Sequence, residues 1–141
     1  MSQDFDLESA FLTEWHRIVA AKDIGALERI LAEDVQLGAP PYWTKLRGRP
    51  VVLHLLDLII HTIDDFTYHR EWRDGGEYAL EFTGHVGETD LQGIDLVSVD
   101  EQDAVRNIDV LVRPVNAVIE LREIIAPRMA EFLKQLNQGA S

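Results

Sequence analysis

Asp95 lies between Ile94 and Leu96, in the middle of the alternating stretch Leu91 to Val99. Aspartate is disfavoured inside a strand, so this position carries a chemical question. An apolar surrounding raises a carboxyl pKa, because burial penalises the charged form. A neutral carboxylic acid can then donate a hydrogen bond to a ligand oxygen, and near neutral pH it can also act as a catalytic acid or base. The alternative is a structural aspartate, ionised and satisfied by arginine or backbone donors. Trp15 adds an indole N–H, a donor with no acceptor capacity, on an otherwise apolar helical face. It suits a ligand oxygen or a pocket wall, and equally a packed core.

Other residues invite weaker chemistry. Tyr42 and Trp43 follow Gly38-Ala39-Pro40-Pro41. Aromatics in an irregular segment suit a lid over an apolar ligand, or a plug in the end of a barrel. Tyr68 faces inward if it follows Phe66, but neither its parity nor its partner follows from the pattern. His54, Asp57 and His61 stand at i, i+3 and i+7 and are metal-ligand types. Val52, Leu55, Leu56, Ile59, Ile60 and Ile63 form the opposite apolar side, so the polar stripe reads as a solvent face and no metal is expected. His85 alternates with Glu81 and Thr83, opposite Leu80 and Phe82, and so points away from an interior lined by the apolar set. With reversed parity, Glu81 and His85 become an acid–base pair. Arg113 falls out of phase with Val110 and Val112 and is expected on the outer face or rim, paired with an acid.

No glycine-rich phosphate loop opens a helix, since Gly75-Gly76 and Gly84 lie in hairpin contexts. No Gly-x-Ser-x-Gly elbow is present. The chain has no cysteine, which excludes disulfides, thiolate catalysis and cysteine-ligated metals. No cofactor is expected.

The elements that must position these residues follow from periodicity. Phe11, Trp15, Ile18, Val19 and Lys22 recur at helical steps, predicting a helix over Asp6 to Lys22. Asp23 is a plausible N-cap for a short helix, Gly25 to Ala32. Val35 to Leu37 reads as a strand ended by the two prolines. Pro50 suits the first turn of a third helix running to about Ile63. From Phe66 the period changes to two. Strands are expected over Phe66 to Arg73, Glu77 to Val86, Leu91 to Val99 and Val105 to Val112, with Asp74-Gly75-Gly76 as the first hairpin turn. On Glu77 to Val86, Tyr78, Leu80, Phe82 and Val86 share a face. A last helix spans Ala117 to Leu136, with Leu121, Ile124, Ile125, Met129, Phe132, Leu133 and Leu136 as its stripe. Pro127 predicts a kink or break in it.

Helix, helix, strand, helix, four strands, helix is an α+β plan in which an antiparallel meander packs one face on helices. The later strands are apolar on both faces: Ile94 and Leu96 alternate with Val97 and Val99, and Val110 with Leu111. This predicts that the outer face is buried in a homodimer. With 141 residues and 46% hydrophobic residues, the chain reads as a single domain spanning residues 1–141 with a real core. A formal charge of −12 argues against nucleic acid or an anionic membrane as partner. Met1 to Glu8 lacks the basic start and apolar run of a secretory signal, and Val51 to Ile63 is too short to span a bilayer. A cytoplasmic protein is expected.

Four segments carry a resemblance: Trp15-His-Arg-Ile-Val-Ala-Ala-Lys-Asp23, Leu31-Ala-Glu-Asp-Val35, Arg47-Gly-Arg-Pro50 and Gly93-Ile-Asp-Leu96. With the element order from Phe11 to Val112, they resemble the nuclear transport factor 2-like superfamily. That group includes SnoaL-like polyketide cyclases, ketosteroid isomerase and limonene epoxide hydrolase. The resemblance implies a cone-shaped, curved antiparallel sheet wrapped around helices, a cystatin-like α+β barrel. Ketosteroid isomerases use a tyrosine on the first helix, an aspartate on a middle strand and a catalytic aspartate before a proline after the first strand. The matching positions here are Trp15, Asp95 and Ala39. The tyrosine has become an indole and the base a methyl group, which argues against ketosteroid isomerase itself. The epoxide hydrolase pattern needs charged residues where Leu80, Phe82 and Val110 are expected to face inward.

The expectation is therefore a SnoaL-like pocket for a small apolar, oxygen-bearing molecule. Asp95 is the candidate catalytic acid or base in cofactor-free proton transfer, as in isomerases and cyclases. Trp15, Tyr42, Trp43, Tyr68, Phe82 and Val110 are the candidate ligand-binding residues. The alternative is a non-catalytic dimeric binding or interaction module whose cone is filled by its own side chains.

Overall fold

A computed structural model describes residues 2–140, with side chains described for residues 10–138. The side chains of the acidic start, Met1 to Glu8, lie outside that range. The elements in order are α1 (Ser2–Ala21), α2 (Ile24–Ile30), β1 (Leu31–Gly38), β2 (Leu46–Arg47), α3 (Arg49–Thr62), β3 (Asp64–Asp74), β4 (Glu77–Val86), β5 (Thr89–Val99), β6 (Val105–Arg113) and α4 (Val115–Ala140).

The helices start where local chemistry dictates. Asp23 caps α2, its carboxylate accepting from the Ala26 N–H at 3.1 Å and satisfying one of the orphan donors of the first turn. Arg17 also reaches the Asp23 carboxylate. These donors, the Ala26 amide first, hold the carboxyl below its ordinary range. Asp23→Ala is expected to lower the melting temperature by roughly 3 °C, read by circular dichroism at neutral pH; an unchanged melting temperature would leave the cap without energetic weight. Pro50 sits in the first turn of α3, where its missing N–H costs no hydrogen bond. The sequence expectation for α2 overran. Leu31 is already extended and begins β1, pairing with Val105, while Arg49 Nε donates to its carbonyl at 3.0 Å.

The six strands form one curved, unclosed sheet in the order β2-β1-β6-β5-β4-β3. Strands β3 to β6 make the expected antiparallel meander. The sheet as a whole is mixed, which corrects the expectation of a purely antiparallel one: β1 runs parallel to β6. The two-residue strand β2, pairing Leu46 with Leu37, has no pattern long enough to announce it.

The inner face of the sheet is apolar. Leu80, Phe82, Val97, Val105 and Ile108 are at most 1% exposed, and fully burying each such side chain contributes about 1.5–3 kcal/mol. Helices α1 and α3 close over this face with Phe11, Trp15, Ile18, Val52, Leu55 and Leu56. Helix α4 adds Leu121, Ile125 and Met129. Ile124, Leu133 and Leu136, expected in its buried stripe, are exposed. Of the kink or break expected at Pro127, the break does not occur: the helix continues through it. The residue whose carbonyl loses its helical partner there is Glu123, on the exposed side, where water can replace it.

The outer face combines apolar and polar groups. Trp72, Leu96 and Leu111 are 51%, 40% and 54% exposed. Between them Glu81 is buried, and Arg70 clamps it through Nε at 2.6 Å and a second guanidinium nitrogen at 2.9 Å. Gln92 donates to the same carboxylate and accepts from Arg113 Nε at 2.8 Å. Arg113 therefore faces outward as expected, but its partner is an amide rather than an acid. Arg70 is the main cause that holds the Glu81 carboxyl down at about 2. Among the described residues no helix is long and apolar enough to cross a membrane.

Candidate functional site

The inward face of β5 brings Asp95 beneath α1. It stands opposite Leu80 on β4 and Val110 on β6, and is 8% exposed. A cavity of about 550 Å³ opens above it, within the size range of small-molecule sites. Asp95, Trp15, Tyr42, Trp43, Tyr68, Phe82 and Val110 all line this cavity. Phe82 forms one wall by stacking on Phe66 at 4.6 Å between ring centroids, and Phe66 meets Tyr68 edge-on at 5.0 Å. Tyr42 and Trp43 stand at the mouth, 57% and 96% exposed.

Three polar groups form a chain in this apolar setting. Trp15 Nε1–H donates to the Tyr68 hydroxyl at 3.0 Å. Tyr68 donates to Asp95 Oδ2 at 2.6 Å. The other carboxyl oxygen, Oδ1, takes no hydrogen bond from the described residues. No buried side-chain oxygen or nitrogen among them is left without a partner, so Oδ1 is reached from the cavity. Among the described residues no arginine or lysine pairs with Asp95. Burial raises its pKa to about 7, against the opposing pull of the Tyr68 hydroxyl. Burial, followed by the neighbouring Asp95 charge, also pushes the Tyr68 phenol up, so Tyr68 remains a donor at physiological pH.

Asp95 is the only carboxyl in the described lining; Lys45 and Arg122 are its cations, at exposed positions. Lys45 is already held by Asn107 and Asp109. Ala39, the loop position after β1, contributes only a methyl group. The lining can therefore do two things at Asp95: offer one hydrogen bond to a ligand oxygen, or exchange one proton near neutral pH. Because the Tyr68 bond favours the ionised form, Tyr68→Phe is expected to raise the Asp95 midpoint further. Carbon-13 titration of the Asp95 carboxyl checks this; a midpoint moving down would contradict the arrangement.

The other candidates lie elsewhere. His85 and Glu81 point outward, and His85 Nε2 meets the Asp65 carboxylate at 2.8 Å, so no inward acid–base pair forms. His61 pairs with Asp57 at 2.9 Å. His54 departs from the expected solvent stripe and stacks on Phe132 of α4 at 4.0 Å with 8° between planes. No group of three potential metal ligands occurs among the described residues. Unanticipated at the site's edge is His16, which pairs with Glu71 and sets its ring edge-on to Tyr68 at 5.0 Å.

No family model and no curated protein matches the sequence. Solved structures do match. A steroid delta-isomerase from Pseudomonas aeruginosa is 34% identical, with a TM-score of 0.82 over 89% of this chain and 93% of that one. A protein of Silicibacter pomeroyi, conserved in bacteria and with a cystatin-like fold, is 32% identical, with a TM-score of 0.82 over 89% and 91%. An NTF2-like protein of unknown function from Cytophaga hutchinsonii shares the fold at 11% identity, with a TM-score of 0.60 over 75% and 89%. The chain belongs to the nuclear transport factor 2-like superfamily, in its SnoaL-like and ketosteroid-isomerase-like range.

Proposed function

We propose that the protein binds a small apolar molecule of steroid size through one oxygen, anchored at Asp95. The observation that carries this reading is Asp95 in the lining of an apolar cavity of about 550 Å³, its Oδ1 without a hydrogen-bond partner among the described residues. A neutral acid there donates to a carbonyl, and the apolar walls strengthen that bond by excluding water. The steroid delta-isomerase match supports a polycyclic ketone as the first probe. Titration of the intrinsic tryptophan fluorescence with androstanone is expected to saturate at pH 6, and Asp95→Ala to weaken binding about tenfold. No saturation, or equal affinity in the variant, would overturn the reading.

A catalytic reading rests on the same carboxyl. Poised at about 7, Asp95 is matched to cofactor-free enolisation of a bound ketone, taking a proton from the carbon beside the carbonyl and returning it. Exchange of those hydrogens for solvent deuterium, abolished in Asp95→Ala, is its test. Ala39 supplies no second carboxylate, which favours binding over rapid turnover. Exposed Trp72, Leu96 and Leu111 support a homodimer through the outer sheet face. Sedimentation at micromolar concentration is expected to give a dimer, and a monomer would remove that part of the proposal.

A further inference from the structure

We propose that Trp15 and Tyr68 are positioning residues that make Asp95 select ligands whose anchoring oxygen carries no proton. This rests on the reading of the cavity as a ligand site and specifies the chemistry that the site accepts.

The chain of donors fixes where each proton lies. An indole N–H can only donate, so the Tyr68 oxygen receives the Trp15 proton at 3.0 Å. Among the described residues the tyrosine's single hydrogen then goes to Asp95 Oδ2, at 2.6 Å. Turning that bond around would make the phenol oxygen accept twice and leave its own hydrogen unpaired in an apolar pocket, at the cost of an unsatisfied buried donor. Oδ2 is therefore fixed as an acceptor. When Asp95 is neutral, its proton must lie on Oδ1, the oxygen that opens to the cavity.

A neutral acid locked in this orientation presents an O–H and nothing else. A ketone, ester or ether oxygen accepts it with no group left over. An alcohol can also accept it, but the alcohol's own hydrogen then faces apolar walls without a partner. The preference is a property of the lock. Without Tyr68, the carboxyl can turn and offer either its O–H to a ketone or its C=O to an alcohol. Both ligands then bind and discrimination disappears.

The test uses a matched pair, androstanone and androstanol, which differ in that one group. Their affinities are measured at pH 6 for wild type, Tyr68→Phe and a protein carrying benzothienylalanine at position 15. The last replaces the indole N–H by sulfur and keeps both rings, so it removes the donor while conserving the buried shape. Wild type is expected to prefer the ketone by about tenfold. In Tyr68→Phe the ratio falls to near one while both ligands still bind. The position-15 analogue falls between the two, because an unrestrained phenol can reverse its bond. A purely structural role would weaken both ligands together and leave their ratio unchanged. Retention of the tenfold ratio in both altered proteins would overturn the proposal alone. Failure of wild type to bind either ligand would remove the underlying reading as well. Should Tyr68→Phe not fold, the isosteric analogue decides the question by itself.

Discussion

Asp95→Asn is expected to gain stability over wild type as pH rises. The sign follows from the carboxyl's shift from 3.8 to about 7 in the folded protein. Between those values the folded state holds a proton that the unfolded state has released, so unfolding is coupled to proton loss and stability falls with increasing pH. The contribution of neutral Asp95 is fully present below 3.8 and is lost as pH passes through about 7. Three pKa units correspond to about 4 kcal/mol at most. Asparagine keeps an oxygen for the Tyr68 hydroxyl and an N–H for the cavity, but takes no part in the titration. The stability difference between variant and wild type should therefore grow by up to about 4 kcal/mol from pH 4 to pH 8. Urea unfolding of both proteins at several pH values measures it, and a difference that stays flat would mean that Asp95 titrates normally. Ketone affinity carries the same signature: it is constant in wild type below pH 7, then falls as the donor proton leaves, whereas Asp95→Asn shows no such fall.

Gly93→Ala is expected to be the most damaging single-methyl change near the site. Gly93 pairs with Phe82 across β4 and β5. A Cβ there would stand 2.3 Å from Phe82 Cζ and 2.4 Å from the Leu111 carbonyl oxygen. Neither neighbour can retreat easily. The Phe82 ring is 1% exposed and stacked on Phe66, and Leu111 belongs to the β6 ladder. The expected loss is about 3 kcal/mol, at the upper end for overpacking. Because Phe82 is a wall of the cavity, its displacement also reduces ketone binding. A loss under about 1 kcal/mol in urea unfolding would show that the sheet yields at this point more readily than its packing implies.

The two variants bracket how much of the site could be read in advance. Asp95, Phe82 and Val110 sit on long, regular strands, where parity alone assigns the inward face. Trp15 falls on a helix whose apolar positions recur at clear three- and four-residue steps. Tyr68 is the instructive case. It faces inward with Phe66, but the β3–β4 register shifts on both sides of it, between Asp64 and Thr67 and between Tyr68 and Glu71, so the parity of the rest of β3 does not carry over to Tyr68. Its bond to Asp95 joins residues on strands that are not neighbours, separated by β4, and no local pattern encodes that distance.

The same limit applied to the fold. The hairpins of β3 to β6 are local, and their turns announce them. The parallel pairing of β1 with β6 joins residues about seventy positions apart, and alternation gives each strand's faces but not its neighbour. The helical pattern puts His54 in a solvent stripe, because its own helix has an apolar side opposite. What covers it is Phe132 of α4, a contact that depends on how two helices meet.

The most direct measurement is a carbon-13 titration of the Asp95 carboxyl, with and without androstanone. A midpoint near 7 in the free protein is predicted, moving higher when the ketone binds, because an acceptor at Oδ1 stabilises the protonated form. A midpoint in the ordinary carboxylate range, unmoved by the ketone, would contradict the account: Asp95 would then be a solvated structural acid and the cavity would have no anchoring donor.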